Sequence, residues 1–258
     1  TGSNTSKTHP VIATFIKRAA RLKGKTLIVI DPRRLMLTRH AAIWLRQRPG
    51  SDAAVLNGLM HVIIRDNLHD QAYIAERTEN FEALRDTVSR YTPEVVERIS
   101  GVPAQNLEKA ARLYAAAPRA AICYAMGITQ HITGTDNVKS LANLAMLCGN
   151  VGIRGGGVNP LRGQNNVQGA CDMGGLPNVF PGYQSVTEPE NRWKMERVWG
   201  VRNLPDWVGM TMTEMLPSIS EGKIKALYII GENPVISEAD AEHALHPLQE
   251  LDFLVVQD

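Results

Sequence analysis

Cysteine is scarce in this chain: three residues, Cys123, Cys148 and Cys171, among 258. An odd, widely spaced set contains no CxxC metal pair and argues against a disulfide framework. Buried thiols are the expectation for Cys123 and Cys148, and for Cys171, in a glycine-rich stretch, packing is the expectation with a functional role as the alternative. Long apolar runs are also missing, since none approaches the roughly 18 residues of a membrane-spanning helix. The opening TGSNTSKTHP has no apolar core of the kind a signal peptide needs. Neither sign of charge prevails: 28 Lys and Arg face 26 Asp and Glu. The basic residues are scattered along the sequence, which speaks against a nucleic-acid stripe or a membrane-binding face.

What the chain does have is a 44% apolar fraction, enough for a substantial core in one large or two smaller domains. It also has one unusual stretch, Gly155 to Gly175, GGGVNPLRGQNNVQGACDMGG, with seven glycines, five side-chain amides and only Arg162 and Asp172 charged. Such a composition suits neither a helix nor a strand. Glycine admits close backbone approach, and Asn and Gln offer paired donors and acceptors, so a loop around a large, heteroatom-rich ligand is expected. Arg162 is then a lone cation at that ligand. A flexible linker would pair Gly with Ser and carry fewer amides and apolar residues.

Helical and strand patterns alternate along the rest. Residues 9–23 place Val11, Ile12, Phe15, Ile16, Ala19 and Leu22 on one helical face, with Gly24 as the stop. Short strands are expected at 26–30 and 41–45, and Ser51 or Asp52 can cap a helix running through Ile63. Caps at Thr92 and Pro103 start further helices, and 107–117 is helical. A strand at 120–125 and a helix at 136–147 lead to the amide-rich stretch. Residues 176–209 lack periodicity apart from a short helix near 190–198. A helix at 213–220, a strand at 225–230, a turn at 231–234, a helix at 238–250 and a strand at 253–256 complete the chain. This alternation predicts an α/β fold of Rossmann-like βαβ units with parallel sheets, and ligands at the carboxyl ends of strands.

Three turns sit at such ends. Gly2-Ser3-Asn4-Thr5 precedes a helix whose free N–H groups suit a phosphate. Asp31, closing a strand, is placed like the carboxylate that accepts ribose hydroxyls in dinucleotide-binding folds, and Arg33 can add a phosphate or cation–π contact. An ordinary strand-ending turn is the alternative for Asp31-Pro32-Arg33. Met126-Gly127-Ile128-Thr129-Gln130-His131 follows the next strand, where Gly127 permits close approach and Gln130 can bond through its amide. Gly231-Glu232-Asn233-Pro234 follows a later strand, with Ser237 near the next helix. The glycine spacing departs from G-x-G-x-x-G, against a standard nicotinamide dehydrogenase, and no HExxH, Walker loop or Gly-x-Ser-x-Gly elbow occurs.

Taken together, GSNTSKTHP, IDPRR, MGITQH, GNVGIRGGGVNPLRGQNNVQGACDMGG, PGYQ, GENP and VVQD resemble the successive signatures of the molybdopterin oxidoreductases, and within them the catalytic alpha subunits of formate dehydrogenases. The resemblance covers essentially the whole chain. It implies a molybdenum or tungsten centre held by bis(molybdopterin guanine dinucleotide), with a 4Fe-4S cluster nearby in the parent protein. It implies that Gly2, Asn4, Asp31, Arg33 and Asp52 face one dinucleotide, that Met126, Gly127, Gln130, Gly163 and Gln164 approach the pterins, and that Gly231, Glu232, Asn233, Ser237 and Gln257 lie at the second dinucleotide. Arg162 is implied as the residue that holds formate and the forming carbon dioxide. Electron-transfer subunits are the implied partners, with neither nucleic acid nor direct membrane insertion.

The resemblance also implies what lies elsewhere. The family's CxxC cluster segment, its lysine and its Cys or selenocysteine metal ligand with adjacent His belong upstream, and its last domain belongs downstream. The chain is therefore expected to be an internal fragment: a complete domain at 1–164 and, at 165–258, the second part of a discontinuous domain. By itself it is expected to be inactive and to bind no iron–sulfur cluster. A cytoplasmic location is the expectation, with export of the parent to the periplasm as the alternative. Rival identities are a nitrate reductase-like enzyme and a non-catalytic electron-transfer scaffold akin to the large subunit of complex I. Arg162 and the complete amide-rich stretch favour formate dehydrogenase.

Overall fold

The computed structural model describes residues 1–238 and 241–258. It forms two compact units, Thr1–Gly163 and Gln164–Asp258.

The first unit begins with α1 (Thr5–Thr8) and α2 (Pro10–Leu22). The α2 face expected to be apolar is not its buried face: Ala13 is fully buried, while Val11, Phe15 and Leu22 are exposed. The chain then forms β1 (Ile28–Ile30), a 3-10 turn at Met36–His40, and β2 (Ile43–Leu45). β1 and β2 pair in parallel, Ile28 opposite Ile43 and Ile30 opposite Leu45. The helix after them, α3 (Asp52–Arg65), buries residues on nearly every side, including Val55, Leu56, Leu59, Met60, Val62 and Ile63. A helix apolar around its circumference belongs at the centre of a core. Around it pack α5 (Phe81–Ser89), α6 (Pro93–Ser100), α7 (Ala104–Ala115) and α9 (Gly134–Leu147). The remaining helices of this unit are α4 (Gln71–Arg77) and the single turn α8 (Met126–Thr129), which follows β3 (Ala121–Tyr124).

β3 pairs in parallel with β4 (Gly157–Pro160). That strand overturns the expectation that Gly155 to Gly175 holds neither strand nor helix, as does α10 (Val167–Asp172) beyond it. The cause is tertiary for β4, whose four residues bond along β3 with Ala121 opposite Gly157 and Tyr124 opposite Pro160. It is local for α10, where the Asn166 side chain accepts from Gly169 N at 3.1 Å. Residues 1 and 2 join the two small sheets: Thr1 N donates to Cys123 O at 2.8 Å and Gly2 N to Ile30 O at 3.3 Å. The carboxyl ends of β1, β2, β3 and β4 consequently open on one cleft.

The second unit continues with the antiparallel pair β5 (Val179–Phe180) and β6 (Gln184–Ser185), then α11 (Pro189–Trp199) and α12 (Met212–Ser220). Thr211 and Glu214 form a reciprocal capping box at the start of α12. β7 (Ala226–Ile230) and β8 (Phe253–Gln257) pair in parallel, with α13 (Pro234–Ser237) and α14 (Ala241–Gln249) between them. The expected helix 238–250 is thus seen from Ala241 onward, its residues 239 and 240 lying outside the described residues. Its buried clusters are small: Phe180, Val186 and Met195 in one, Leu216, Ile219 and Ala244 in the other.

The fold is therefore α/β with small parallel sheets, and the strands lie in pairs instead of in one continuous sheet.

Candidate functional site

The cleft at the strand ends of the first unit has a volume of about 300 Å³. β1 delivers Asp31, Pro32 and Arg33 to it, β2 delivers Gln47 and Pro49, β3 delivers Ala125, Met126 and Gly127, and β4 delivers Leu161 and Gly163. Gly2, Ser3 and Asn4 close it on another side. Two carboxylates lie at this site, and both are nearly inaccessible: Asp31 is 3% and Asp52 4% exposed. Asp31 Oδ1 accepts from Arg33 N at 2.8 Å, a turn bond that aims the carboxylate, and the Arg33 Nε lies 3.7 Å from the same oxygen. Asp31 O accepts from Trp44 Nε1 at 2.8 Å, which holds the strand end to β2.

Asp52 does not cap its helix. The N-cap position belongs to Ser51, whose Oγ donates to Arg48 O at 2.6 Å and makes no helix cap bond. Asp52 is the first helical residue; its Oδ1 accepts from Gln47 Nε2 at 2.9 Å, and its Oδ2 lies 3.9 Å from His131 Nε2. Gln47 is itself 3% exposed, and its Oε1 is buried without a hydrogen-bond partner. A buried acceptor left unpaired is costly, and the Gln47 Oε1 is one such acceptor at this cleft.

Gly2 and Gly127 set the width of the site. Gly127 N donates to Gly2 O at 3.0 Å, and a Cβ on either residue would lie 2.7 Å from an atom of the facing backbone. Gly2 also has φ +57°, a conformation that glycine adopts freely. The close approach Gly127 permits here is to another turn of the same chain.

A second cleft, about 520 Å³, shares Asn4 and Arg33 with the first and is lined further by Ser6, Lys7, Arg34, Leu35, Met36 and Arg39. Its lining holds four cations and no carboxylate. Ser6 Oγ is buried and has no partner. Dispersed in sequence terms, these basic residues converge because α1 and the 3-10 turn meet. Arg162 is thus not the lone cation of this region. It stands between two residues of the first cleft, Leu161 and Gly163, exposed to solvent and in no ion pair among the described residues. Gln130 and Gln164 are exposed and line neither cleft. Met126 is 47% exposed and lines the first.

In the second unit the predicted residues lie at the carboxyl ends of β7 and β8. Ile230 stands opposite Gln257, and Gly231 N donates to Gln257 O at 2.9 Å. The Gln257 Oε1 accepts from Tyr228 OH, and the Glu232 carboxylate accepts from Ser237 Oγ. Asn233 is the N-cap residue of α13 and is exposed.

Cys123 and Cys148 line neither cleft. Burial raises the Cys123 thiol and pushes Cys148 up to about 12, so both stay protonated at neutral pH. Among the described residues no three His, Cys, Asp or Glu side chains converge as a metal site.

Comparison with known proteins identifies the architecture. The family model for molybdopterin oxidoreductases matches residues 1–258. The chain belongs to the molybdopterin oxidoreductase family. It is 49% identical over 257 residues to the alpha subunit of F420-dependent formate dehydrogenase 1 of Methanococcus maripaludis, covering all of this chain and 37% of that protein. It is 46% identical over 257 residues to formate dehydrogenase H of Escherichia coli, covering 36% of it. Among solved structures, acetylene hydratase from Pelobacter acetylenicus superposes with a TM-score of 0.74 at 25% identity, covering 99% of this chain and 37% of that one. The chain thus spans little more than a third of the length of these molybdopterin oxidoreductase relatives.

Two cleft residues, Gln47 and Pro49, fall outside the motifs that suggested a site, and two more, Thr8 and His9, stand inside the GSNTSKTHP signature but had no role assigned. Gln47 had a usable signal, since it stands two residues beyond the end of β2, much as Asp31 stands directly beyond β1.

Proposed function

We propose that this chain is a segment of the catalytic subunit of a formate dehydrogenase, holding parts of a bis(molybdopterin guanine dinucleotide) centre with molybdenum or tungsten. The observation that carries it is 46–49% identity along the whole chain to formate dehydrogenase subunits. The chemistry of the clefts fits the dinucleotide. Guanine presents N–H donors and ribose presents hydroxyls, and the buried acceptors Asp31, Asp52 and the unpaired Gln47 Oε1 suit both. The diphosphate suits the adjoining Lys7, Arg33, Arg34 and Arg39. The order β2, β1, residues 1 and 2, β3, β4 supports a Rossmann-like half, with the cleft at its switch point. Gly231, Glu232, Asn233, Ser237 and Gln257 are assigned to the second dinucleotide on their strand-end placement.

The metal with its dithiolenes, when bound, supplies the two-electron redox chemistry, and an iron–sulfur cluster elsewhere in the parent takes the electrons. Formate oxidation yields carbon dioxide, one proton and two electrons. The chain's own part is to bind and orient: Arg162 grips the carboxylate with a planar pair of N–H donors and releases neutral carbon dioxide, which no longer holds a charge-assisted bond. Because Leu161 and Gly163 line the cleft, the Arg162 side chain starts from its rim.

The test is Arg162→Lys in the full-length, cofactor-loaded protein. Lysine keeps the charge and loses the fork, so kcat/KM for formate is expected to fall by about a hundredfold, roughly 2.7 kcal/mol, with metal content unchanged. Wild-type kinetics would remove Arg162 from the substrate site.

A further inference from the structure

We infer that His9 is a positioning residue that fixes the backbone of Arg162; its kinetic consequence rests on the formate reading above. His9 lies at the junction of α1 and α2, and its own backbone is held from both sides. Its N–H donates to Thr5 O at 2.9 Å, and its carbonyl accepts from Ala13 N at 3.0 Å. From that fixed point the imidazole reaches across 153 positions of sequence, and Nε2 lies 2.6 Å from Arg162 O. A carbonyl oxygen only accepts, so Nε2 carries the hydrogen and donates. Nδ1 then needs a donor, and Thr8 Oγ1 supplies it at 2.8 Å, a shorter contact than the same hydroxyl makes with Asn4 O at 3.3 Å. The Arg162 carbonyl thus sets the tautomer, and Thr8 accommodates it by donating to Nδ1.

The position of this bond along the chain gives it its effect. β4 ends at Pro160, and Leu161 N donates to Tyr124 O at 2.7 Å. Beyond it, Gly163 has open space where a Cβ would stand, and Gln164, Asn165 and Asn166 are exposed. The His9 bond is the anchor at Arg162 itself, between the strand and that open stretch. Arginine has a long, rotamer-rich side chain, so the direction of its guanidinium depends first on where its backbone is held.

The experiment compares His9→Ala, His9→Asn and His9→Gln in the full-length, cofactor-loaded protein. Glutamine carries an amide N–H at about the reach of Nε2, whereas the shorter asparagine reaches only about as far as Nδ1. Readouts are KM for formate, inhibition by azide as a non-reacting anion, kcat, metal content and hydrogen exchange at residues 163–166. Ala and Asn are expected to raise KM and the azide Ki about three- to tenfold, the worth of one hydrogen bond. They should also speed exchange at 163–166, with kcat within about threefold and metal content at the wild-type level. Gln should stay within about twofold of wild type in each. Equal behaviour of Gln and Asn, or wild-type KM, Ki and exchange in His9→Ala, overturns the inference. Arg162→Ala separates the two layers: if it leaves KM and Ki unchanged, the formate anchor is lost, and the exchange contrast between Gln and Asn still decides whether His9 holds this backbone.

Discussion

Gly2 and Gly127 face each other with no room for a methyl group between them. A Cβ on Gly127 would stand 2.7 Å from Gly2 O and 2.8 Å from Gly2 Cα, and backbone atoms cannot swing aside as a side-chain tip can. Gly127→Ala is expected to destabilise the first unit by about 1–3 kcal/mol, as overpacking does. Gly163→Ala, which meets nothing within 4 Å, should stay within about 0.5 kcal/mol. Urea denaturation of both variants at neutral pH checks the contrast. The same pair shows what single residues reveal before a structure exists. A glycine after a strand signals close approach, but the partner in that approach is 125 positions away and leaves no local trace. Asp31 could be placed from sequence at the end of an apolar strand, and there its carboxylate also makes the ordinary turn bond to Arg33 N. The His9 contact could not be read, because its partner is a carbonyl, which every residue possesses.

At the scale of elements, the last turn of α3 is tied to α7 by charge. Asp66 takes Arg65 Nε and Arg112 Nε, each at 2.8 Å, while Arg65 also meets Glu108 at 2.8 Å. The hydrogen bond from Arg65, helped by Arg112 and opposed by burial, holds the Asp66 carboxyl below its ordinary value. The depressed value means that the unfolded chain takes up the proton first as pH falls. The stability contributed by Asp66 is complete above the unfolded carboxylate value of about 4 and is lost as pH drops through the lower folded value. The arginines are 38% and 49% exposed, so solvent screening keeps the contribution to about 1 kcal/mol. Asp66→Asn should cost that amount at pH 7 and flatten the acid limb of stability, as measured by urea unfolding from pH 7 to pH 3. Long helices rich in apolar residues, α3 and α9 among them, could be read from sequence because their buried side chains recur over several turns. β4 could not: Gly157-Val158-Asn159-Pro160 has little strand propensity, and only the edge offered by β3 makes it a strand.

For the whole molecule, the two units differ in how much apolar surface they enclose. The first gathers most of its buried apolar residues into one contiguous cluster around α3, whereas each cluster of the second has three buried members. Its parallel pair β7–β8 is the extreme case, with Tyr228 57%, Ile230 61%, Phe253 64% and Val256 59% exposed. Parallel strands ordinarily lie buried on both faces, where water cannot compete for their ladder. A two-stranded ladder open to solvent should therefore unfold locally at a small fraction of the global free energy. Native-state hydrogen exchange on this chain is expected to rank the α3 amides slowest and to place those of β7 and β8 at least about a hundredfold faster. The ordering follows from burial, so a small addition of urea should speed the α3 amides, which open only with the core, more steeply than the β7–β8 amides. Equal protection of α3 and β7–β8 at low urea would mean that both units unfold as one cooperative body, and that the exposed faces of the ladder do not govern its stability.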